Sequence, residues 1–435
     1  MSATSGMPHL FGFGERDMKV LIISAAYPPF HAGESTNAFF LCKHLAGRKL
    51  DVHVLTSQGN IGNGEPGISV HPIMRHWSWA EIPRFRDFLK HCAPDAILLM
   101  YLGLMYHFHP MITFTPTIAK KLFPRVPFVT RFESVHVPSD PGRTSWVSRA
   151  FRKLVVKQWA GSNEISYAAG TLLRDSDKVI ALCKEHRLGL LEVKPDVGSK
   201  VVLIPPPLNM RMCSGGDEAR QRQRVKLGVG PNDFIFAFLG YIYPAKCVEI
   251  LLQAFQIVMR QKRDAKLLFI GGKFDLDYEG KGSYVEQMYA LSKELGIEPN
   301  TIWTGAFTAE DEEGSLNLHA ADVGVFTFNL GIQLNNSSVS SVAAHGLPMI
   351  ATRGRCLDEP FVHQENVVLC EPKDPPALAQ AMLFVMESPE LRERLREGAL
   401  KLASEWFSWE RAGDRTIDLL RGHKSRSGSE KSLNS

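Results

Sequence analysis

The chain has 435 residues, 44% hydrophobic and 22% charged, with a formal net charge of +4. That length allows two ordinary domains with a large core, and so small a positive balance on so long a chain argues against a nucleic-acid binder. No apolar run approaches the ~20 residues of a membrane span. The opening MSATSGMPHLFGFGERD lacks the basic-then-apolar order of a secretory signal. Residues 1–16 read as a flexible leader, with structure expected from Asp17.

From there short apolar runs alternate with helical stretches. MKVLIIS, DVHVLTS, DAILLMY, FVTRF, KVIAL and KVVLIP are rich in Val, Ile and Leu, and near-continuous apolar runs of this length suit parallel strands buried on both faces. STNAFFLCKHLAG lies between the first two. Its Phe39, Leu41, Cys42 and Leu45 fall on one helical face. Alternating β and α predicts a doubly wound parallel sheet over 17–210. A triple proline, a Gly-Gly pair and a run of Arg and Gln over 205–233 mark a boundary. The pattern then restarts with FIFAFLG, KLLFIGG, IWTGAF, VGVFTF, PMIAT and NVVLCE. Capping-box pairs stand at Ser283/Glu286 and Thr308/Asp311. A second domain of the same construction is expected over 216–395, two further helical segments over 396–421, and a disordered polar tail over 422–435.

Cys42, Cys92, Cys183, Cys213, Cys247, Cys356 and Cys370 are scattered, odd in number and never C-x-x-C. They read as buried free thiols in a reducing cytoplasm. No His or Cys cluster has metal-ligand spacing. The nearest approach is His107 with His109, which reads as a packed loop pair.

Two such domains joined by a short linker create a cleft between the carboxyl ends of two sheets, where ligands of these sheets bind. Four loops there bear candidate residues. In GYIYPAK, Pro244 stands at a predicted helix start and Lys246 in its first turn, against the helix dipole. An anion between the two would relieve that conflict; a solvated lysine is the alternative. In FIGGKFD, Gly271 and Gly272 admit close backbone approach to a ligand or merely a tight turn. In GIQLNNSSVSSVAAHGLP a helix expected from about Ser337 opens with free N–H groups and hydroxyls at Asn335, Asn336, Ser337 and Ser338. They serve either as caps or as an anion site. In YPPFHAGEST, Gly33 leaves room facing the cleft. The chain has neither G-x-G-x-x-G nor G-x-x-x-x-G-K-[ST], so dinucleotide and ATP-type loops lack support.

In order and spacing these pieces resemble a glycosyltransferase of the GT-B fold, family 4, over about Lys19 to Leu420. The segments that carry the resemblance are VLIISAAYPPFHAGEST, SDKVIALCKEHRLGLL with VVLIPPPLN, FLGYIYPAKCVEILLQAF, HAADVGVFTF, AAHGLPMIATRG and FSWERAGD. The resemblance implies an acceptor-side domain followed by a donor domain, both Rossmann-like and facing a central cleft, with a last helix crossing back to the first. It implies retaining transfer from a nucleotide-diphosphate sugar to an acceptor in glycan, glycolipid or natural-product biosynthesis, with no metal and no other cofactor. The chain departs from the family at several places. Gln333 and Ser341 stand where the family has two glutamates, Tyr241 where it has a phosphate-binding arginine, and Phe132-Glu133 where it often has His-Asp. A family subset without the glutamates has two arginines where Asn335 and Asn336 stand. On this reading Lys246, Gln333, Gly271, Gly272 and the Asn335–Ser338 loop bind the donor phosphates, Ser341 reaches the ribose, and Gly33 and Glu133 face the acceptor. The alternative is a catalytically inactive, sugar-binding partner. A basic amphipathic segment, Trp146 to Trp159, offers peripheral association with an anionic membrane.

Overall fold

The computed structural model describes residues 17–135, 167–272, 283–308 and 310–422. The segment from Trp146 to Trp159 and the leader 1–16 lie outside these residues. Two parallel sheets organise the chain. The first holds β1 (Lys19–Ile23), β2 (Asp51–Ser57), β3 (Ile68–Met74), β4 (Ala96–Tyr101), β5 (Phe128–Phe132), β6 (Lys178–Ala181) and β7 (Val201–Leu203), in the order β3-β2-β1-β4-β5-β6-β7. Both faces are covered. Leu21 and Ile23 of β1 belong to one apolar cluster with Ile97 and Leu99. Val20 and Ile22 belong to another with Val52, Val54 and Leu98. Such two-sided burial is why these strands read as continuous apolar runs. The edge strand β3, ISVHPIM, is mostly half-buried and contains Pro72. Its pattern is that of a sheet edge, and the apolar-run reading does not find it.

The helices around this sheet are α1 (Gly33–Gly47), α2 (Ile82–Cys92), α3 (Thr115–Leu122), α4 (Tyr167–Asp175) and α5 (Lys184–Val193). After an extended stretch, α6 (Asp217–Lys226) opens the second unit. The Arg/Gln run predicted as part of a boundary is this helix. Its Arg220 and Arg224 grip the entry to the second sheet: both reach the Asp322 carboxylate, and Arg224 also donates to the Ala320 and Gly230 carbonyls. A helix with few apolar residues is thus held by charged hydrogen bonds.

The second sheet holds β8 (Phe234–Leu239), β9 (Ala265–Ile270), β10 (Thr301–Trp303), β11 (Val323–Phe326), β12 (Met349–Thr352) and β13 (Val368–Cys370), ordered β10-β9-β8-β11-β12-β13 and all parallel. Between them lie α7 (Val248–Gln261), α8 (Tyr284–Glu294), α9 (Glu313–Ala320) and α10 (Ser337–Ala344), followed by α11 (Pro375–Glu387), α12 (Pro389–Trp406) and α13 (Trp409–Leu420). At the Thr308/Asp311 pair, the Asp311 carboxylate accepts from the Thr308 N–H, but α9 starts one residue past the pair's next neighbour, at Glu313.

The chain turns back at Phe407–Ser408, so residues 396–406 complete α12, and α13 packs on the first domain. Ala412, Ile417 and Leu420 enter a first-domain cluster. The Trp409 indole donates to the Leu208 carbonyl at 2.7 Å, and Asp414 pairs with Arg48 at 3.0 Å. Gly413 sits so close to α1 that a Cβ there would fall 2.1 Å from the His44 ring.

In each sheet the strand order reverses once beside the first strand of the unit, between β1 and β4 and between β8 and β11. Crevices outside such switch points are where open α/β sheets take ligands. Here the two crevices meet.

Candidate active site

The interdomain cleft has a volume of about 470 Å³. Its walls come from the loops after β1, β4 and β5 on one side and after β8, β9, β10 and β11 on the other. Gly33, Glu133, Lys246, Gly271, Gly272 and Asn335 through Ser338 all line it. Among the described residues no group of His, Cys, Asp or Glu could hold a metal ion.

Lys246 reaches the cleft by a different route from the one predicted. Pro244–Lys246 is one 3-10 turn, Cys247 follows with φ of +48°, and α7 begins only at Val248. The lysine therefore does not sit in the first turn of that helix. The turn is pinned to the loop after β11: Thr327 Oγ1 donates to the Lys246 carbonyl at 2.8 Å, and the Asn329 N–H to that of Ala245 at 3.0 Å. Its ammonium lies 3.8 Å from the Phe328 ring centroid and 5.5 Å from that of Tyr243. Among the described residues no carboxylate pairs with it. Desolvation lowers its pKa to about 8. A cation stripped of water and short of a counter-charge favours an anion.

The opening of α10 supplies the donors. Asn336 precedes the helix but does not cap it. Its Oδ1 turns back to accept from the Gln333 N–H at 3.0 Å. The amides of Ser337 and Ser338 have no acceptor among the described residues, so the first turn keeps its partial positive charge directed at the cleft. Opposite, Gly271 has φ of +135°, and a Cβ there would lie 2.5 Å from the Gly240 carbonyl oxygen. Only glycine permits that approach. Gly33 is the first residue of α1, and a Cβ on it would meet nothing within 4 Å; it opens onto the cleft.

The structure does not bring Gln333 and Ser341 to the cleft. Gln333 is 4% exposed, and its side-chain amide donates to Glu185 of α5. Ser341 is fully buried one turn into α10, where its hydroxyl donates to the Ser337 carbonyl at 2.9 Å. That is the usual internal bond of a helical serine. Phosphate contact by Gln333 and ribose contact by Ser341 are corrected accordingly.

Glu133 forms a buried pair with Arg131, Nε to Oε1 at 2.7 Å, with the two side chains 6% and 4% exposed. Burial raises its pKa while the guanidinium lowers it, with burial the larger effect. Glu34 and Asn37, on the cleft face of α1, line the same wall and are not among the sequence candidates. Burial, with a contribution from Glu133, pushes Glu34 up to about 7. The available signal was a Gly-Glu start followed by an asparagine three residues on, within a helix otherwise buried in the core. Asp358, 2% exposed, was also missed. It accepts from the Lys184 N–H of the first domain at 2.7 Å and from the Leu334 N–H of the second at 2.8 Å. It therefore ties the Asn335–Ser338 loop to the opposite domain. Of the His107 and His109 pair, His109 accepts the Met111 N–H at its Nδ1 at 3.1 Å. All seven cysteines are free thiols, and all but Cys356 are buried.

Residues 219–402 match the family model described as glycosyl transferases group 1. That match spans most of the second domain. Whole-chain likenesses give the same fold. Anabaena HepE, solved with UDP and glucose, covers 93% of this chain and is itself wholly covered, at TM-score 0.68 and 16% identity. A glycosyltransferase from Rickettsia africae covers 93%, with 98% of its own length matched, at TM-score 0.70 and 14% identity. The two Rossmann-like units and the returning α13 are thus the GT-B fold, as the resemblance implied. In sequence, a D-inositol 3-phosphate glycosyltransferase of Segniliparus rotundus is 27% identical over 250 residues, which are 56% of this chain and 52% of that protein. A GDP-mannose-dependent phosphatidylinositol monomannoside mannosyltransferase of Mycolicibacterium smegmatis is 22% identical over 228 residues, 51% of this chain and 56% of that one. The chain thus matches about half the length of these two relatives. The matched residues include Lys246, Gly271-Gly272 and the Asn335–Ser338 loop.

Proposed function

We propose that this GT-B chain is a retaining glycosyltransferase that binds a nucleoside-diphosphate sugar with its diphosphate between Lys246 and the start of α10. The observation that carries the reading is the unpaired, desolvated ammonium facing the uncapped Ser337 and Ser338 amides across one cleft. When the donor bond breaks, the leaving diphosphate gains negative charge. Fixed donors aimed at that charge lower the barrier, and they act strongly where water is excluded. Lys246 and the free amides supply this role, so the reading includes no metal. Asn335 and Asn336 give neutral hydrogen bonds where a family subset has arginines, and Tyr241 replaces a further arginine. Slow turnover follows from that weaker charge stabilisation. The named likenesses support a nucleotide-sugar donor: HepE was solved with UDP and with UDP-glucose, and the mycobacterial relative is named for GDP-mannose. No helix among the described residues is long and apolar enough to cross a membrane.

The test is thermal stabilisation by UDP, GDP, dTDP and ADP, each beside its sugar-linked form and with EDTA present. A ligand of the folded state at 100 times its Kd adds about 2.7 kcal/mol. A shift with one base identifies the donor class. No shift with any nucleotide would overturn the reading and leave a sugar-binding partner lacking donor chemistry.

A further inference from the structure

The loop that leads into α10 is held from the other domain. Cys183, just past β6, is fully buried in the apolar cluster that fills the second domain, so the start of α5 is pressed against that domain. Successive loop residues then meet successive residues of α5, directly or through Asp358. The Gln333 side-chain amide donates to the Glu185 carboxylate. The Leu334 and Lys184 N–H groups share the two oxygens of Asp358, at 2.8 and 2.7 Å. The Asn335 side-chain nitrogen lies 3.3 Å from His186 Nε2. An ionised carboxylate only accepts, so the contact with Glu185 requires a donor at 333. A glutamate there would set like charges in contact. Gln333 is 4% exposed, which leaves its side chain little room to turn elsewhere.

Gln333 also sets the turn that follows. Its N–H donates to Asn336 Oδ1 at 3.0 Å, and its carbonyl accepts from the Asn336 N–H at 3.2 Å. These reciprocal bonds fix Asn336 against Gln333, and the next residues, Ser337 and Ser338, line the cleft. Hydrogen bonds weaken steeply with angle and distance, so a shift at Gln333 reaches the amides that face the phosphates. Glu185 is not among the residues that line the cleft, and it acts only through Gln333.

We propose that Glu185 of the first domain is a positioning residue for the diphosphate site of the second. It holds Gln333, Gln333 holds Asn336, and Asn336 aims the Ser337 and Ser338 amides. The neutral residue at 333 is thereby matched to an acid across the domain boundary. The inference rests on the glycosyltransfer reading above and adds to its donor site a residue of the opposite domain.

The full chain and its variants are titrated with UDP, GDP, dTDP and ADP by calorimetry, and the thermal midpoint of each empty protein is recorded. Glu185→Leu leaves the Gln333 amide without its acceptor and should weaken binding by about fivefold. Glu185→Gln keeps an acceptor oxygen and should stay within about twofold of wild type. Gln333→Glu should cost about tenfold or more. The exchange Glu185→Gln with Gln333→Glu restores a donor facing an acceptor and should return affinity to within about threefold of wild type. A merely structural role would give losses that follow the thermal midpoint and no rescue by the exchange. Unchanged affinity in Glu185→Leu, or an exchange no better than Gln333→Glu alone, overturns the positioning role. If Gln333→Glu does not fold, the difference between Glu185→Leu and Glu185→Gln decides. Binding of no nucleotide by the wild type would instead overturn the glycosyltransfer reading, so the two failures are distinguishable.

Discussion

The two walls of the cleft are built at the same structural position, the carboxyl ends of parallel strands, yet they present opposite chemistry. The second-domain wall offers one desolvated ammonium, Lys246, and free amides at Ser337 and Ser338. The first-domain wall offers Glu34, Asn37 and the Arg131–Glu133 pair. The difference shows that sheet architecture sets where ligands go and says little about which ones. The contrast comes from the sign and valence of a few loop and helix-start groups.

The largest break in that contrast is removal of Lys246, the one unpaired cation lining the second-domain wall among the described residues. Lys246→Ala should weaken nucleoside-diphosphate binding by about 100-fold, roughly 2.7 kcal/mol, read by calorimetry. The thermal stability of the empty protein should not fall. Parallel losses of binding and stability would mean that Lys246 holds the cleft together and does not bind the phosphates.

The contrast also needs the walls to face each other, and Asp358 is a joint between them. Asp358→Ala leaves the Lys184 and Leu334 amides without their buried acceptor, a loss of about 1–3 kcal/mol in urea unfolding. Asp358→Asn keeps the size of the side chain and one acceptor, so its loss should be smaller. If the alanine variant unfolds like wild type, the carboxylate is not a joint between the domains.

The second-domain wall was the more legible of the two in sequence. Gly271-Gly272, Lys246 and the Asn-Asn-Ser-Ser run each follow an apolar strand and are residue types with few uses at such a place. The first-domain wall was less legible because the helix was read as starting at Ser35 and begins at Gly33: Asn37 looked like its polar flank, and Glu34 fell in the loop before it. Asp358 was hidden for another reason: its partners are backbone amides 24 and 174 residues away, and backbone acceptors leave no pattern in sequence. Gln333 and Ser341 misled through counting, since an aligned position fixes the backbone and not where a shorter or neutral side chain turns. The strands were clear wherever both faces are buried, and β3 was lost where one edge is open.

A milder change separates amides from side chains on the second-domain wall. Ser337 is the first residue of α10 and Asn336 before it is extended, with φ of −83° and ψ of 97°. That geometry accepts proline at the next position. Ser337→Pro therefore keeps the helix while removing one N–H donor and the hydroxyl. Diphosphate affinity should fall about tenfold, in line with one or two hydrogen bonds to a charged group, with no loss in thermal stability. Unchanged affinity would mean that this amide points past the phosphates.

The smallest expected effect is the pH response, and it tests both walls at once. Desolvation holds Lys246 near 8 in the empty cleft, far below the ~10.4 of a free lysine. A bound diphosphate favours the ammonium, so binding takes up a proton above pH 8 and affinity falls by at most about tenfold per pH unit there. Glu34, held near 7, ionises across the cleft first and adds a shallow decline between pH 6 and 8. Glu34→Gln should remove the first step, and Lys246→Arg, which stays charged, should flatten the second. Stability of the empty protein moves the other way. Between pH 8 and ~10.4 the unfolded chain holds a proton on Lys246 that the folded one has lost, so folding gains from Lys246 as pH rises through that window. Opposite slopes for affinity and apo stability above pH 8, both abolished by Lys246→Met, would place the titrating group on the second-domain wall. Parallel slopes would place it elsewhere.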